Sequence, residues 1–143
     1  MLQRCATFMI LSFVFAGGHA IAQECLHGPT ETAEQAARRR EALTAVRNIN
    51  NLEANQPGAA NRSYLGADQL ASSPYAARMR ESPDATVKRI SLNPGTDILP
   101  NWQLTLDVTA NGYWFMLKDK TDPCGFAFVS SQAGLIFRAE PIR

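Results

Sequence analysis

The stretch WQLTLDVTANGYWFMLK, residues 102–118, places two candidate strands on either side of an Asn-Gly pair. Apolar and polar residues alternate from Trp102 to Val108, which is the period of a strand with one buried face. Asn111-Gly112 is the strongest short signal for a β-hairpin, and Tyr113–Lys118 predicts the returning strand. This stretch therefore predicts an antiparallel hairpin.

The residues after the hairpin extend the predicted sheet. KTDPCG, residues 120–125, has the composition of a turn, and Phe126–Val129 then predicts a third strand. SSQAG, residues 130–134, places Gly134 where a left-handed conformation suits a second turn. Leu135–Arg138 predicts a fourth strand, so we expect a meander of three to four strands over residues 102–140.

The segment TETAEQAARRREALTAVRNINNLEAN, residues 30–55, predicts one long helix. Thr32 and Gln35 have the spacing of a capping box, with Thr30 as an alternative cap. An apolar stripe recurs at spacings of about three along one helix face and predicts packing against the sheet. The stripe consists of Leu43, Val46, Ile49 or its neighbour Asn50, and Leu52, with Ala36, Ala42 and Ala45 beside it.

The segment between helix and sheet is irregular in pattern. Residues 64–83 predict a loop with one or two short helical turns, the second with Pro74 at its first position. Thr86–Leu92 predicts a short strand. Together these patterns predict an α+β fold: a long N-terminal helix packed on a C-terminal antiparallel meander, in a single domain over residues 23–143.

The first 22 residues have the layout of a cleaved secretory signal peptide. Arg4 supplies positive charge, Phe8–Ala16 is a short apolar run, and Ala20-Ile21-Ala22 supplies small residues at a cleavage site. The apolar run is shorter than the roughly 20 residues of a membrane span. A buried N-terminal helix is the alternative. We expect an exported protein, periplasmic or extracellular, with no membrane span in the mature chain.

Three cysteines occur, and Cys5 would leave with the leader. Cys25 and Cys124 then form an even pair in an oxidising compartment, which predicts a disulfide. Lipidation of Cys25 is disfavoured because Gln23-Glu24 stand before it. His27, the single histidine of the mature chain, is expected to be a loop residue before a turn at Pro29.

The charge balance excludes several classes of partner. Removal of Arg4 with the leader leaves 13 basic and 13 acidic residues, so nothing indicates nucleic-acid binding or a polybasic membrane anchor. Arg38-Arg39-Arg40 is the one basic cluster, and Glu31, Glu34 and Glu41 lie near it. We expect a solvated face of mixed charge, with an anion site as the less favoured alternative.

The sequence offers little that indicates catalysis or metal binding. Cys25, His27 and Cys124 are fewer soft ligands than a closed zinc site uses, and their spacing matches no common ligand pair. Asp119 and Asp122 are expected to bind backbone in a turn, and Asp107 to lie on the polar face of its strand. We therefore expect no catalytic residue, no metal and no cofactor, and a protein that is not an enzyme.

Tyr113-Trp114-Phe115 is the most informative aromatic run. Alternation sends Tyr113 and Phe115 to the face that meets the helix, and sends Trp114 and Met116 to the other face. We expect residues 60–100 to cover Trp114. The alternative is an exposed patch in which Trp114 and Met116 bind a partner.

This order of elements, ending in GFAFVSSQAGLIFRAEP at residues 125–141, resembles the soluble domain of type IV pilins and pseudopilins. A prepilin leader is cut after glycine and is followed by a long apolar helix, whereas Gly18 here is followed by HAIAQECLHG. The resemblance implies a non-enzymatic cell-envelope or secreted protein that acts by binding an unidentified protein partner or by self-association. The alternative is a small secreted inhibitor or ligand-binding module that uses the sheet face around Trp114.

Overall fold

A computed structural model of the chain describes residues 25–55 and 64–140 and confirms the α+β fold. A long helix precedes three short ones and a four-stranded sheet. In chain order the elements are α1 (Ala33–Ala54), α2 (Ala67–Ser72), α3 (Pro74–Arg80), α4 (Ala85–Lys88), β1 (Trp102–Thr109), β2 (Gly112–Asp119), β3 (Ala127–Ser131) and β4 (Ile136–Ala139). The predicted signal peptide lies outside the described residues.

Helix α1 begins at the predicted capping box. The Thr32 hydroxyl accepts a hydrogen bond from the Gln35 amide at 3.2 Å, and the Gln35 side chain accepts one from the Thr32 amide at 2.7 Å. The predicted apolar stripe is confirmed, with Val46, Ile49 and Leu52 buried in the core. None of the described helices is both long and apolar enough to cross a membrane.

The four strands form one antiparallel meander in the order β1-β2-β3-β4. We call the side that packs against α1 the covered face; it includes Leu104, Leu106, Tyr113, Phe115, Leu117, Phe128, Ser130, Ile136 and Arg138. We call the other side the open face; it includes Gln103, Thr105, Asp107, Trp114, Met116, Lys118, Val129, Ser131 and Phe137. Side chains alternate between the two faces along every strand, as the sequence predicts.

The predicted hairpin is confirmed, but its turn lies one residue earlier than Asn111-Gly112. Gly112 pairs with Thr109, so the loop consists of Ala110 and Asn111. Neither loop residue has a positive φ, which excludes the type I′ turn expected of Asn-Gly. The observed register sets Leu104 opposite Leu117. The register for an Asn-Gly loop would set Leu104 opposite the carboxylate of Asp119.

The middle of the chain follows the prediction up to residue 83 and then departs from it. Ser73 caps α3 through its hydroxyl, and Pro74 occupies the first position of that helix, as predicted. The predicted strand over Thr86–Leu92 is wrong, because residues 85–88 form α4. The Asp84 carboxylate accepts hydrogen bonds from the amides of Thr86 and Val87, and this cap nucleates a helical turn.

The predicted disulfide joins Cys25 to Cys124, with the two Cα atoms 5.2 Å apart. It ties the segment before α1 to the loop between β2 and β3, across a sequence separation of 99 residues. Closing a loop of this length stabilises a fold by about 4–5 kcal/mol in the chain-entropy account. The segment before α1 is thereby fastened covalently to the sheet.

Candidate functional site

Trp114 lies on the open face and is 42% exposed, so the expectation that residues 60–100 cover it is wrong. The described part of that segment instead contributes Leu70, Met79, Ile90 and Ile98 to the core beneath the covered face. The apolar side chains of this segment therefore pack on the covered face. The indole of Trp114 is left facing solvent.

The orientation of Trp114 is fixed by its cross-strand neighbour. Asp107 on β1 stands directly opposite Trp114, and its carboxylate accepts a hydrogen bond from the indole Nε1 at 3.0 Å. The polar atom of the indole is therefore satisfied, while much of its ring remains available for contact. Asp107 lies on the polar side of β1, as predicted.

An apolar row crosses the open face beside Trp114. Met116 pairs with Val129, and Val129 pairs with Phe137, so the three side chains lie side by side on adjacent strands. Phe137 is 57% exposed, and Leu135, just before β4, is 60% exposed. Trp114, Met116, Val129 and Phe137 are called the open-face patch below.

The alternative interpretation of the sequence placed Trp114 and Met116 in an exposed patch but did not include Phe137. A signal was present, because residues 135 and 137 carry Leu and Phe with one residue between them in a predicted strand. Which of the two faces they join depends on the register of β4 against β3, and the sequence does not give that register.

His27 lies in the loop before the turn at Pro29, as predicted, but the contacts of its side chain were not predicted. Its side chain is buried, its Nδ1 lies 2.5 Å from Asp122 Oδ2, and its Nε2 lies 3.2 Å from Glu140 Oε1. The ring also packs on Phe126, with centroids 4.9 Å apart. The residue therefore joins the N-terminal segment, the loop between β2 and β3, and the end of β4.

His27 and Asp122 are arranged like two members of a nucleophilic triad, but the third partner of His27 is not a nucleophile. Asp122 holds the imidazole as the orienting carboxylate of a triad does. The second ring nitrogen, however, faces the carboxylate of Glu140, where a triad has its hydroxyl or thiol. His27, Asp122 and Glu140 therefore hold three segments of the chain together.

The disulfide is the sequence signal that could have located this cluster. His27 stands two residues after Cys25, and Asp122 stands two residues before Cys124. Any bond between these cysteines brings the two side chains into the same region.

The predicted roles of Asp119 and Asp122 in binding the turn are confirmed. Asp119 accepts hydrogen bonds from the Thr121 amide at 2.9 Å and the Thr121 hydroxyl at 2.7 Å. Asp122 uses its second oxygen to accept from the Cys124 amide at 2.7 Å. Both carboxylates thus stabilise the loop that carries Cys124.

A buried polar network crosses the interface between α1 and the covered face. Asn50 accepts from the Tyr113 hydroxyl at 3.0 Å and donates to the Ser130 hydroxyl at 2.9 Å. Ser130 in turn donates to the carbonyl of Leu135 at 2.8 Å. These bonds fix the position of α1 over β2 and β3.

Two groups at this interface have raised pKa values. Burial raises the pKa of Tyr113 to about 12, and the negative charge of Glu53 adds to the effect. Burial also raises the pKa of Glu53 itself, although the Leu65 amide donates a hydrogen bond to it at 3.1 Å. The other carboxylate oxygen of Glu53 is buried and has no hydrogen-bond partner among the described residues.

Potential metal ligands are not gathered in the part of the chain that the structure describes, where no group of three or more His, Cys, Asp or Glu side chains could hold a metal ion. Cys25 and Cys124 are joined to each other. Comparison with protein-family models, with curated proteins and with solved structures finds no match to this chain. Its function has to be inferred from its own geometry.

Proposed function

We propose that this chain is a non-enzymatic, exported protein that binds a partner protein through the open-face patch. The observation that carries the proposal is Trp114, whose indole is exposed on the sheet while its nitrogen is held by Asp107. An aromatic side chain with few rotatable bonds, already fixed in orientation, loses little entropy when a partner covers it.

The composition of the open face supports a protein partner. Tryptophan, methionine and phenylalanine are enriched at the centres of protein interfaces, and polar residues form their rims. Here the apolar row is bordered on the β1 side by polar side chains. These border residues are Gln103, Thr105, Asp107 and Thr109.

Export is the part of the proposal that rests on the N-terminal sequence. Residues 1–22 have the pattern of a secretory leader, and the disulfide suits an oxidising compartment. The long helix followed by an antiparallel meander is the order of elements in pilin-like domains, which supports binding or assembly in the cell envelope as the setting.

The test measures partner binding by variants of the two exposed aromatic residues. The disulfide-bonded protein is immobilised, captured proteins are identified, and each is purified and titrated against Trp114→Ala and Phe137→Ala. We expect each variant to weaken the genuine complex by about tenfold or more, since buried aromatic anchors dominate such interfaces. Arg80→Ala, an exposed position on α3 outside the open face, is the control and should bind normally.

Two results would contradict this proposal. Equal binding by Trp114→Ala, Phe137→Ala and the wild type would place the interface elsewhere. Light scattering that shows a stable dimer, lost in Trp114→Ala, would show that the face binds a second copy of the chain in place of a different protein.

A further inference from the structure

A groove of about 600 Å³ runs between α1 and the end of the sheet formed by β3 and β4. Its floor is apolar and consists of Leu43 from α1, Phe128 from β3 and Ile136 from β4. Leu43 and Ile136 are only half-buried, so part of this floor faces solvent. The volume lies within the range of small-molecule sites.

The walls of the groove carry unpaired positive charge. Arg40 and Arg47 come from α1, and Arg138 comes from β4. All three are exposed, and none forms an ion pair with another described residue. Arg138 is held in place because its guanidinium lies 5.6 Å from the ring centroid of Phe126.

Other arginines near α1 differ from these three, because carboxylates already neutralise them. Arg38 lies 3.4 Å from Asp119, which fits the expected face of mixed charge. Arg39 pairs with Glu31, and both residues line the groove, whereas Arg89 pairs with Glu41. Among the described residues that line the groove, Arg40, Arg47 and Arg138 are the arginines without an acidic partner, so the positive charge of the groove is concentrated on them.

The spacing of these charges suits a ligand that lies along the groove. Arg40 and Arg47 are seven residues apart, or about 10 Å along the helix axis, on the same side as Leu43. A guanidinium presents several N–H donors in a plane, which matches a carboxylate or phosphate. Extended arginine side chains can converge on one head group over this distance, and the apolar floor beneath them matches a hydrocarbon chain.

We propose that this groove binds an amphipathic organic anion, that is, a carboxylate or phosphate monoester attached to an apolar chain. The head group binds the guanidiniums of Arg40, Arg47 and Arg138, and the chain covers Leu43 and Ile136. The groove belongs to the covered face and the helix, so it is separate from the open-face patch. The inference therefore stands whether or not that patch binds a partner.

The test uses dodecanoate and dodecyl phosphate below their micelle-forming concentrations, titrated into the purified disulfide-bonded protein by calorimetry. We expect saturable binding of one ligand per chain, weakening as salt is raised. The tighter of the two probes identifies the preferred head group. Inorganic phosphate and dodecyl maltoside, which carry the head group or the chain alone, should bind at least about tenfold more weakly.

The variant that tests the site is Arg40→Gln/Arg47→Gln. Both side chains are exposed and unpaired among the described residues, so the variant should retain the wild-type thermal unfolding curve. We expect it to bind both probes about tenfold more weakly or worse. Arg80→Gln, which removes an exposed arginine from α3 outside the groove, is the matched control and should bind like the wild type.

Three outcomes would overturn the proposal. The first is equal binding of dodecyl maltoside and dodecyl phosphate, which would indicate an apolar contact without charge recognition. The second is unchanged affinity in Arg40→Gln/Arg47→Gln. The third is binding to phosphatidylglycerol vesicles with no binding of the monomeric probes, which would indicate a membrane surface as the ligand.

Discussion

Neighbouring residues of β2 have opposite surroundings. Phe115 is fully buried beneath α1, whereas Trp114 is 42% exposed on the open face. Both faces of β2 carry large apolar side chains, so the hydrophobicity of this strand alone does not show that Trp114 is exposed. The difference arises because α1 and the segment from α2 to β1 pack on the covered face and leave the other face open.

The two faces of this sheet therefore differ in what covers them. The covered face holds the core and the buried network of Asn50, Tyr113 and Ser130, and it determines stability. The open face keeps Trp114 and Phe137 in contact with solvent. Substitutions on the two faces should therefore differ in what they change.

The largest effect on stability is expected from removal of the disulfide between Cys25 and Cys124. Replacing both cysteines, Cys25→Ser/Cys124→Ser, should lower the free energy of unfolding by about 4–5 kcal/mol, because the unfolded chain gains the freedom of a long open loop. Urea denaturation measures the loss. A reducing agent should bring the wild type to the level of the variant and leave the variant unchanged; a wild type that resists reduction in unfolding assays would contradict this account.

The next largest effect on stability is expected in the core, and it is tested by substituting two adjacent residues on opposite faces of β2. Phe115→Ala should cost about 3–5 kcal/mol of stability, since it leaves a cavity in the core. Met116→Ala, on the open face, should cost about 1 kcal/mol or less. Chemical denaturation of both variants gives the ratio, and similar losses in the two would show that the open face is covered in solution.

A smaller loss is expected from the polar network beneath α1. Asn50→Ala removes the acceptor of the Tyr113 hydroxyl and should cost about 1–3 kcal/mol, because a buried donor is left without a partner. Asn51→Ala, the next residue on the helix and exposed, should change stability far less. If the thermal unfolding of the two variants coincides, the network does not hold the helix on the sheet.

The smallest effect depends on pH and concerns Glu53. Its pKa is higher in the folded protein than the usual 4.5, so the folded state holds the proton more tightly than the unfolded state does. Stability should therefore fall as pH rises from about 4.5 through the folded pKa, and Glu53→Gln should remove this fall.

Denaturant titrations of wild type and Glu53→Gln across this pH range measure the difference between them. Glu81→Gln, an exposed position, is the matched control and should follow the wild type. A stability difference between wild type and Glu53→Gln that grows in favour of the wild type with rising pH would contradict the burial of this carboxyl group.

Much of the fold was predictable because its signals are local. The capping box of Thr32 and Gln35, the proline at the start of α3 and the left-handed Gly134 all depend on residues within a few positions of one another. The predicted strand over Thr86–Leu92 failed for a local reason as well: the cap at Asp84 outweighed the propensity of Val87 and Ile90 for strands.

The candidate sites were less predictable because their members come from distant parts of the chain. His27 meets Asp122 across 95 residues, and Arg138 faces Arg40 and Arg47 across the groove between β4 and α1. Phe137 joins Met116 through the register of two strands. Each of these contacts depends on how the helices and strands pack, which the periodicity of the sequence does not predict.

The sequence by itself determined the long capped helix, the alternation of β1 and β2, the meander and the pairing of Cys25 with Cys124. Only the tertiary structure decided that the face carrying Trp114 stays open, where the hairpin turns, and which charges remain unpaired. The physical reason is range: backbone hydrogen bonds and side-chain periodicity act over a few residues. Burial and charge pairing depend instead on contacts between residues far apart in the chain.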